Sequence, residues 1–183
     1  MPNWAMGTVT VTGTAAAIES FADRFVYGGQ EPSTIPGKKY FARSFNFDER
    51  DSVKEAIRNS FLDMQDGEKG SVELNIDFAW SVYTCIIAGY PDRFLESCIT
   101  LPDACKEDQV SVQIRAFEPG MCFEEYVSCD EKGTLDYEEK GMPEYKCNDC
   151  GEVCAYPSFE DPEDLCCYEC DSKNLVRLEE EGQ

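Results

Sequence analysis

Alternating apolar and polar positions predict three strands in the first half of the chain. The clearest is 71–78, where every second residue is a large apolar one: Val72, Leu74, Ile76 and Phe78. Residues 7–13 alternate valine and threonine between two glycines. Residues 40–47 place three phenylalanines and one arginine on one side: Phe41, Arg43, Phe45 and Phe47. Each pattern is typical of a strand with one face packed inward.

Apolar residues spaced three or four apart predict helices between these strands. Thr14 is placed to cap the first helix, which ends near Gly28 and has one apolar stripe: Ile18, Phe21, Ala22 and Phe25. Asp48 or Asp51 is expected to cap the second, whose apolar positions are Val53, Ala56, Ile57, Phe61 and Met64. Residues 80–90 suit either a helix or a buried strand. We favour a helix there, followed by a break at Pro91 and another amphipathic segment.

The second half of the chain predicts a meander of three strands. These are 109–118, 122–130 and 134–139, with turns at Pro119-Gly120 and Lys132-Gly133. Strands linked by hairpins form an antiparallel sheet, so the element order indicates an α+β fold rather than a doubly wound parallel sheet. Because each helix has one apolar face, we expect the helices to pack on one side of the sheet.

Acidic residues dominate the charge of the chain, most of all in its last part. The 183 residues include 37 acidic and 16 basic ones, for a formal net charge of −21, and residues 103–183 hold −16 of it. Such a surface disfavours nonspecific attraction to nucleic-acid phosphate or anionic lipid, and it favours either a basic partner or simply high solubility. Basic groups gather only between Lys38 and Lys69, where we expect mainly a solvated helix face.

Two pairs of cysteines near the C-terminus have the spacing of a metal site. Cys147 and Cys150 form one pair, Cys167 and Cys170 the other, and sixteen residues separate them. Two residues between cysteines let one tight turn aim both sulfurs at one ion, and Gly151 permits the backbone to make that turn. The spacing predicts one structural Zn²⁺ in a zinc ribbon over 145–178, with a closing strand over 174–178.

Several alternatives for this site stay open. Cys166 is also within reach of Cys170 and could replace Cys167, and Cys154 is a further thiol. Iron uses the same sulfurs, and disulfides are a third alternative. A closed four-thiolate site has no open coordination position, so we do not expect catalysis there. A segment of this size buries too little core to fold without a metal.

The remaining cysteines and the N-terminus indicate a reducing compartment. The sequence has no recognisable signal peptide and no apolar stretch of transmembrane length, so we predict a cytoplasmic protein. We expect the other thiols to be small core or half-buried residues: Cys85, Cys98, Cys105, Cys122 and Cys129. Trp4 and Trp80 are also expected to be core residues.

Three short motifs stand out in the first 140 residues. They are Pro2, Asn3 and Trp4, then Phe78, Trp80 and Ser81, and finally Phe117, Glu118 and Gly120. They resemble the opening, middle and closing motifs of the YubB-like, ferredoxin-like domain family of bacteriophages and plasmids. Ala5 stands where that family often has cysteine, and Ser81 lacks the usual following proline. The resemblance covers about residues 1–140 and implies a ferredoxin-like sheet and a mobile-element setting, but no reaction. The expected organisation is a ferredoxin-like domain over 1–140, the ribbon, and an acidic tail over 179–183.

The sequence therefore favours a noncatalytic binding protein. It contains no histidine, no phosphate-binding glycine loop and no nucleophile or zinc-protease motif. The leading hypothesis is a phage or mobile-element protein whose acidic surface engages a host protein, as a counter-defence inhibitor of the anti-CRISPR kind or a nucleic-acid mimic. Its candidate partner-binding residues are Glu124, Glu125, Glu138, Glu139, Glu160, Asp161, Glu163 and Asp164. The alternative is a nucleic-acid-binding accessory protein that uses Lys38 to Arg58.

Overall fold

A six-stranded antiparallel sheet forms the larger part of this protein. The computed structural model describes residues 3–27, 41, 43–46, 49–88 and 98–178. Within them the sheet has the order β2-β3-β1-β4-β5-β6. Its strands are β1 Trp4–Gly13, β2 Ser44–Asn46, β3 Gly70–Ala79, β4 Ser111–Glu118, β5 Phe123–Cys129 and β6 Leu135–Gly141. The predicted strands over 7–13 and 71–78 and the meander over 109–139 are confirmed.

The helices connect the first four strands. They are α1 Ala15–Phe21, α2 Arg50–Ser60 and α3 Leu101–Asp108, with π-helical turns at Ala22–Val26 and Tyr83–Ile87. The predicted cap of α1 is confirmed, since the Thr14 hydroxyl accepts the Ala17 N–H at 3.3 Å. The predicted cap of α2 is wrong for Asp51, which lies in the first turn; the helix starts after Glu49, whose side chain makes no capping hydrogen bond.

The first four strands form two interlocked crossovers. β1 pairs antiparallel with both β3 and β4, and β3 pairs antiparallel with β2. The chain therefore runs from β1 through α1 to a parallel β2 with β3 between them. It likewise runs from β3 through α3 to a parallel β4 with β1 between them. β4, β5 and β6 then follow as a meander.

One face of this sheet carries the main core. The register places Val9 beside Leu74 and Ile114, and Ile114 beside Val127, so these side chains share a face. The core also contains buried residues from each helix: Ile18, Phe21, Phe25, Val53, Ile57, Leu101 and Ala104. The helices thus cover one side of the sheet, as the sequence predicted. The other side, which we call the open face, carries the intervening polar residues such as Thr10, Gln113 and Ser128.

Two tryptophans and one cysteine lie outside the core, contrary to the sequence prediction. Trp4 is 36% exposed and Trp80 48% exposed. Trp80 directly follows β3 and has a left-handed φ of 78°, which turns its side chain out of the strand alternation. Cys122 is exposed at the turn between β4 and β5, while Cys85, Cys105 and Cys129 are buried as predicted.

A buried glutamate, Glu118, stabilises the turn between β4 and β5. The Glu118 carboxylate is 3% exposed and accepts the backbone N–H groups of Gly120, at 3.1 Å, and of Met121. A buried carboxylate is stable there because these amides replace its water shell. Glu118 therefore shapes the turn.

A second, smaller sheet follows directly after β6. Its strands are β7 Glu144–Cys147, β8 Val153–Ala155 and β9 Leu175–Arg177, in the order β8-β7-β9. β9 confirms the predicted closing strand. We call residues 144–178 the ribbon.

Some predictions concern residues outside the described ranges. These are the loop over 30–39, Asp48 as a cap of α2, the break at Pro91, the acidic tail over 179–183, and Tyr40, Ala42 and Phe47 of the strand predicted over 40–47. β2 lies within that predicted strand. Among the described residues, no helix is both long and apolar enough to span a membrane.

Candidate metal centre

The two cysteine pairs lie on turns with the same backbone hydrogen bonds. In the first, the Gly151 N–H donates to the Cys147 carbonyl at 2.9 Å; in the second, the Asp171 N–H donates to the Cys167 carbonyl at 2.9 Å. The residue after each pair is left-handed, with φ of 85° at Gly151 and 57° at Asp171. The predicted role of Gly151 is therefore confirmed, and the ribbon contains two copies of one knuckle.

The knuckles bring four sulfur atoms together. The sulfurs of Cys147, Cys150, Cys167 and Cys170 all lie within 4.8 Å of one another. Cys147 Sγ is 3.6 Å from Cys170 Sγ, and Cys150 Sγ is 3.5 Å from Cys167 Sγ. A tetrahedral ion with metal–sulfur bonds of about 2.3 Å requires sulfur separations of about 3.8 Å. The cluster is therefore compact enough to hold a metal ion.

The positions of the sulfurs also show which of the candidate cysteines lie close enough to share one ion. Neither Cys154 nor Cys166 belongs to the cluster. Cys154 is buried in the small core of the ribbon, and the carbonyl of Cys166 accepts the Tyr156 hydroxyl. The described donor set is thus the two pairs that the spacing indicated.

The backbone around Cys147 favours its thiolate. The Cys150 N–H bonds to this sulfur and, with the Asp149 N–H, lowers the pKa of Cys147 to about 7. Cys147 and Cys167 are fully buried, whereas Cys150 and Cys170 are exposed. Each knuckle therefore contributes one inner and one outer sulfur.

Little apolar surface supports the cluster from below. Among the described residues, the second core contains Cys147, Cys154, Tyr156, Leu165 and Cys167, with Tyr145 and Leu175 packed against it. Such a core is too small to order a segment of this length without a cross-link. The donor set and the small core together fit a metal with a structural task.

The segment between the knuckles docks on the open face of the large sheet. The Ser158 N–H and hydroxyl donate to Glu124 at 2.6 and 2.7 Å, and the Ser158 hydroxyl lies 2.7 Å from the Tyr126 hydroxyl. The Phe159 ring packs edge-on against Phe117 and Tyr126, with centroids 6.0 Å apart in both cases. Sequence reasoning missed these contacts because no local pattern pairs Ser158 with a strand 34 residues earlier.

Two of the predicted partner-binding residues lie inside the protein. Glu124 and Glu125 are both 0% exposed, so their assignment to an acidic surface is wrong. Successive residues of a strand face opposite sides of the sheet. Glu124 lies under Ser158 on the open face, where Lys140 adds an ion pair at 3.3 Å.

Glu125 points to the helix side and binds the start of a π-helical turn. Its carboxylate accepts the N–H groups of Val82 at 2.7 Å and Tyr83 at 3.1 Å, and the Tyr137 hydroxyl at 3.0 Å. Burial raises the pKa of Glu125, and the two amides partly oppose this rise. These bonds give Glu125 a structural role.

The other six predicted partner-binding residues are exposed. Glu138 and Glu139 lie on β6; Glu160, Asp161, Glu163 and Asp164 lie between the knuckles. We call residues 160–164 the acidic loop. It follows Ser158, which contacts Tyr126, and Tyr126 is the cross-strand neighbour of Glu138. The acidic loop and Glu138 therefore share the open-face side of the molecule, whereas Glu139, opposite Glu125, lies on the helix side.

Three basic residues of the predicted basic stretch are paired with carboxylates in the described structure. Arg50 pairs with Asp23 at 2.7 Å, Lys54 lies within 4 Å of the same carboxylate, and Lys69 pairs with Glu131. Lys38 and Lys39 are outside the described residues. These ion pairs leave less positive charge for phosphate than the sequence alone suggests.

Comparison of the chain with family models, with curated proteins and with solved structures finds no match. The resemblance to the YubB-like family stays a prediction.

Proposed function

We propose that this is a noncatalytic binding protein of a phage or mobile element, in which a zinc-bound ribbon presents an acidic surface to a basic region of a host protein. The observation that carries this proposal is the position of the acidic loop. It lies between two knuckles that converge on one sulfur cluster, so a bound metal closes the segment into a fixed loop.

The charge of that segment supports a basic partner. Residues 151–166 contain five acidic residues and no basic ones, and the four acids of the acidic loop are exposed. A fixed group of like charges accelerates association with an oppositely charged protein and fixes the alignment of the two surfaces. Inhibition of a host defence protein, by occupying a nucleic-acid channel, is the specific activity that this charge suits.

Zinc is the metal that we propose for the cluster, as a single structural ion. Four thiolates in a closed tetrahedron are a typical structural zinc set, and the site would serve to hold the two knuckles together. Metal analysis of protein purified under reducing conditions should give one zinc per chain. Iron at that stoichiometry would contradict the assignment.

We also propose that residues 1–140 form a ferredoxin-like domain of a cytoplasmic protein. The order β2-β3-β1-β4, antiparallel throughout, supports this assignment, because two interlocked β-α-β crossovers are the pattern of that fold. α2 is inserted where β2 and β3 are otherwise joined by a hairpin. Fold alone implies no activity, so the functional proposal depends on the acidic surface.

Affinity capture with a matched charge control tests the functional proposal. The test variant combines Glu160→Lys, Glu163→Lys and Asp164→Lys. The control variant combines Glu55→Lys, Asp63→Lys and Asp66→Lys. It changes the net charge by the same amount, on exposed residues distant in sequence from the acidic loop. Capture from a bacterial host lysate should yield a basic partner that the test variant loses and the control keeps. Binding that persists in 1 M salt, or equal loss in both variants, would overturn the acidic-loop assignment.

A further inference from the structure

β6 is an outer strand of the large sheet. It pairs with β5, and within the described residues no strand pairs with its other side. An outer strand exposes a row of backbone N–H and C=O groups to which another strand can bond. β6 is seven residues long, from Leu135 to Gly141, which is enough for such pairing.

The hydrogen bonds at the two ends of the β5–β6 ladder show which groups face outward. Asp130 N–H bonds to the Thr134 carbonyl at 3.0 Å, and Met142 N–H to the Cys122 carbonyl at 2.9 Å. Hydrogen-bonded and non-hydrogen-bonded pairs alternate along an antiparallel ladder. The even-numbered residues of β6 therefore bond to β5, and the N–H and C=O groups of Tyr137 and Glu139 point away from the sheet.

The side chains along this edge are acidic on the open face. Asp136 and Glu138 lie two residues apart and are exposed, and Glu139 is exposed on the other side. A strand added beside β6 would place every second side chain next to Asp136 and Glu138. Lysine or arginine at those alternate positions would be attracted, whereas acidic residues would be repelled.

We propose that the outer edge of β6 binds an extended basic segment of a partner protein by strand addition, with Tyr137 and Glu139 supplying the backbone hydrogen bonds and Asp136 and Glu138 selecting the charge. In strand addition, main-chain hydrogen bonds commonly give affinity and alternate side chains give specificity. This inference rests on the proposed function, because it names where and how the basic partner binds.

A second copy of the chain suits this edge less well. Two β6 strands pairing about Glu138 would place that carboxylate against its own copy, and each chain carries a net charge of −21. Like charges directly opposite each other destabilise a strand pair.

The test uses a synthetic peptide of alternating lysine and threonine, blocked at both ends. A peptide of alternating lysine and proline has the same charge but lacks the backbone N–H at every second residue, where strand pairing needs a donor. A glutamate–threonine peptide reverses the charge. Fluorescence anisotropy at low salt should show binding of the lysine–threonine peptide only. Amide hydrogen exchange on the wild-type protein should show new protection at Tyr137 and Glu139.

A matched pair of variants separates the backbone donor from the side chain. Glu139→Pro removes an outward N–H and the carboxylate; Glu139→Ala removes the carboxylate alone. The peptide should bind Glu139→Pro at least tenfold more weakly than Glu139→Ala. Three outcomes would overturn the edge assignment. They are equal binding by the two variants, protection of amides outside β6, and a dimer of the free protein in sedimentation analysis.

The outcomes distinguish this inference from the function on which it rests. A basic peptide that binds but protects other amides leaves the acidic-surface proposal standing and rejects the edge. If neither lysine peptide binds at low salt and no basic partner is captured from lysate, the proposed function fails as well.

Discussion

Replacing Gly151 with alanine tests whether the knuckle backbone controls metal affinity. Gly151 has a φ of 85°, and a Cβ built on it meets no other atom within 4 Å. The substitution therefore adds no clash and changes only the cost of the backbone conformation. An L-residue in the left-handed region costs about 1–2 kcal/mol relative to glycine.

That cost should appear in the metal affinity of the protein. Because the ribbon has so small a core, folding of the knuckle and metal binding are expected to be one equilibrium. A cost of about 1–2 kcal/mol corresponds to a five- to thirtyfold loss of affinity, since about 1.4 kcal/mol is tenfold. Zinc competition titration with a chromogenic chelator under reducing conditions measures this loss directly.

Gly141→Ala is the matched control. A Cβ at Gly141 also meets nothing within 4 Å, and this glycine at the end of β6 has no left-handed φ. Its zinc affinity should equal that of the wild type. An affinity of Gly151→Ala within twofold of the wild type would refute the link between knuckle geometry and metal binding. Asp171→Gly tests the other knuckle and should raise the affinity by a smaller factor, because aspartate tolerates this region better than alanine.

Three further predictions concern the cluster, the docking contact and a buried carboxylate. Cys170→Ala should lose the metal and unfold the ribbon while the near-UV signal of the large sheet persists; Cys166→Ser should still bind one metal per chain. Ser158→Ala should lower the free energy of unfolding by about 1–3 kcal/mol in urea, because the buried carboxylate of Glu124 loses a hydroxyl donor; an unchanged midpoint would contradict the docking contact. Burial raises the pKa of Glu125, so the native state binds this proton more tightly than the unfolded chain. Unfolding free energy should therefore decrease as pH rises above the unfolded value of about 4.3. The unfolding free energy of Glu125→Gln should decrease less over this pH range. A pH profile identical to that of the wild type would contradict a raised pKa for Glu125.

The sequence predicted the features that depend on local spacing. Two residues between cysteines suffice to form a knuckle, and alternation in 71–78 suffices to define a strand with one buried face. The sequence did not predict contacts between residues that are distant along the chain. Glu124-Glu125 has the sequence of a solvated acidic pair, yet each carboxylate is buried by a different element, Ser158 on one face and Val82 on the other.

Trp80 illustrates the same limit of sequence patterns. Alternation along β3 predicts an inward side chain, but a left-handed φ of 78° ends the alternation one residue beyond Ala79. No glycine or proline in the sequence marks that turn. The strand order also depends on pairings between distant segments, which local periodicity does not encode.

The unequal burial of the four sulfurs would give release of the proposed zinc ion a direction. Cys150 and Cys170 are exposed, and Cys147 and Cys167 lie beneath them. A chelator or a competing thiol would therefore reach the sulfurs of Cys150 and Cys170 first. We expect the rate of zinc release to depend on substitutions around Cys150 and Cys170, while the inner pair holds the ion until the last bonds break.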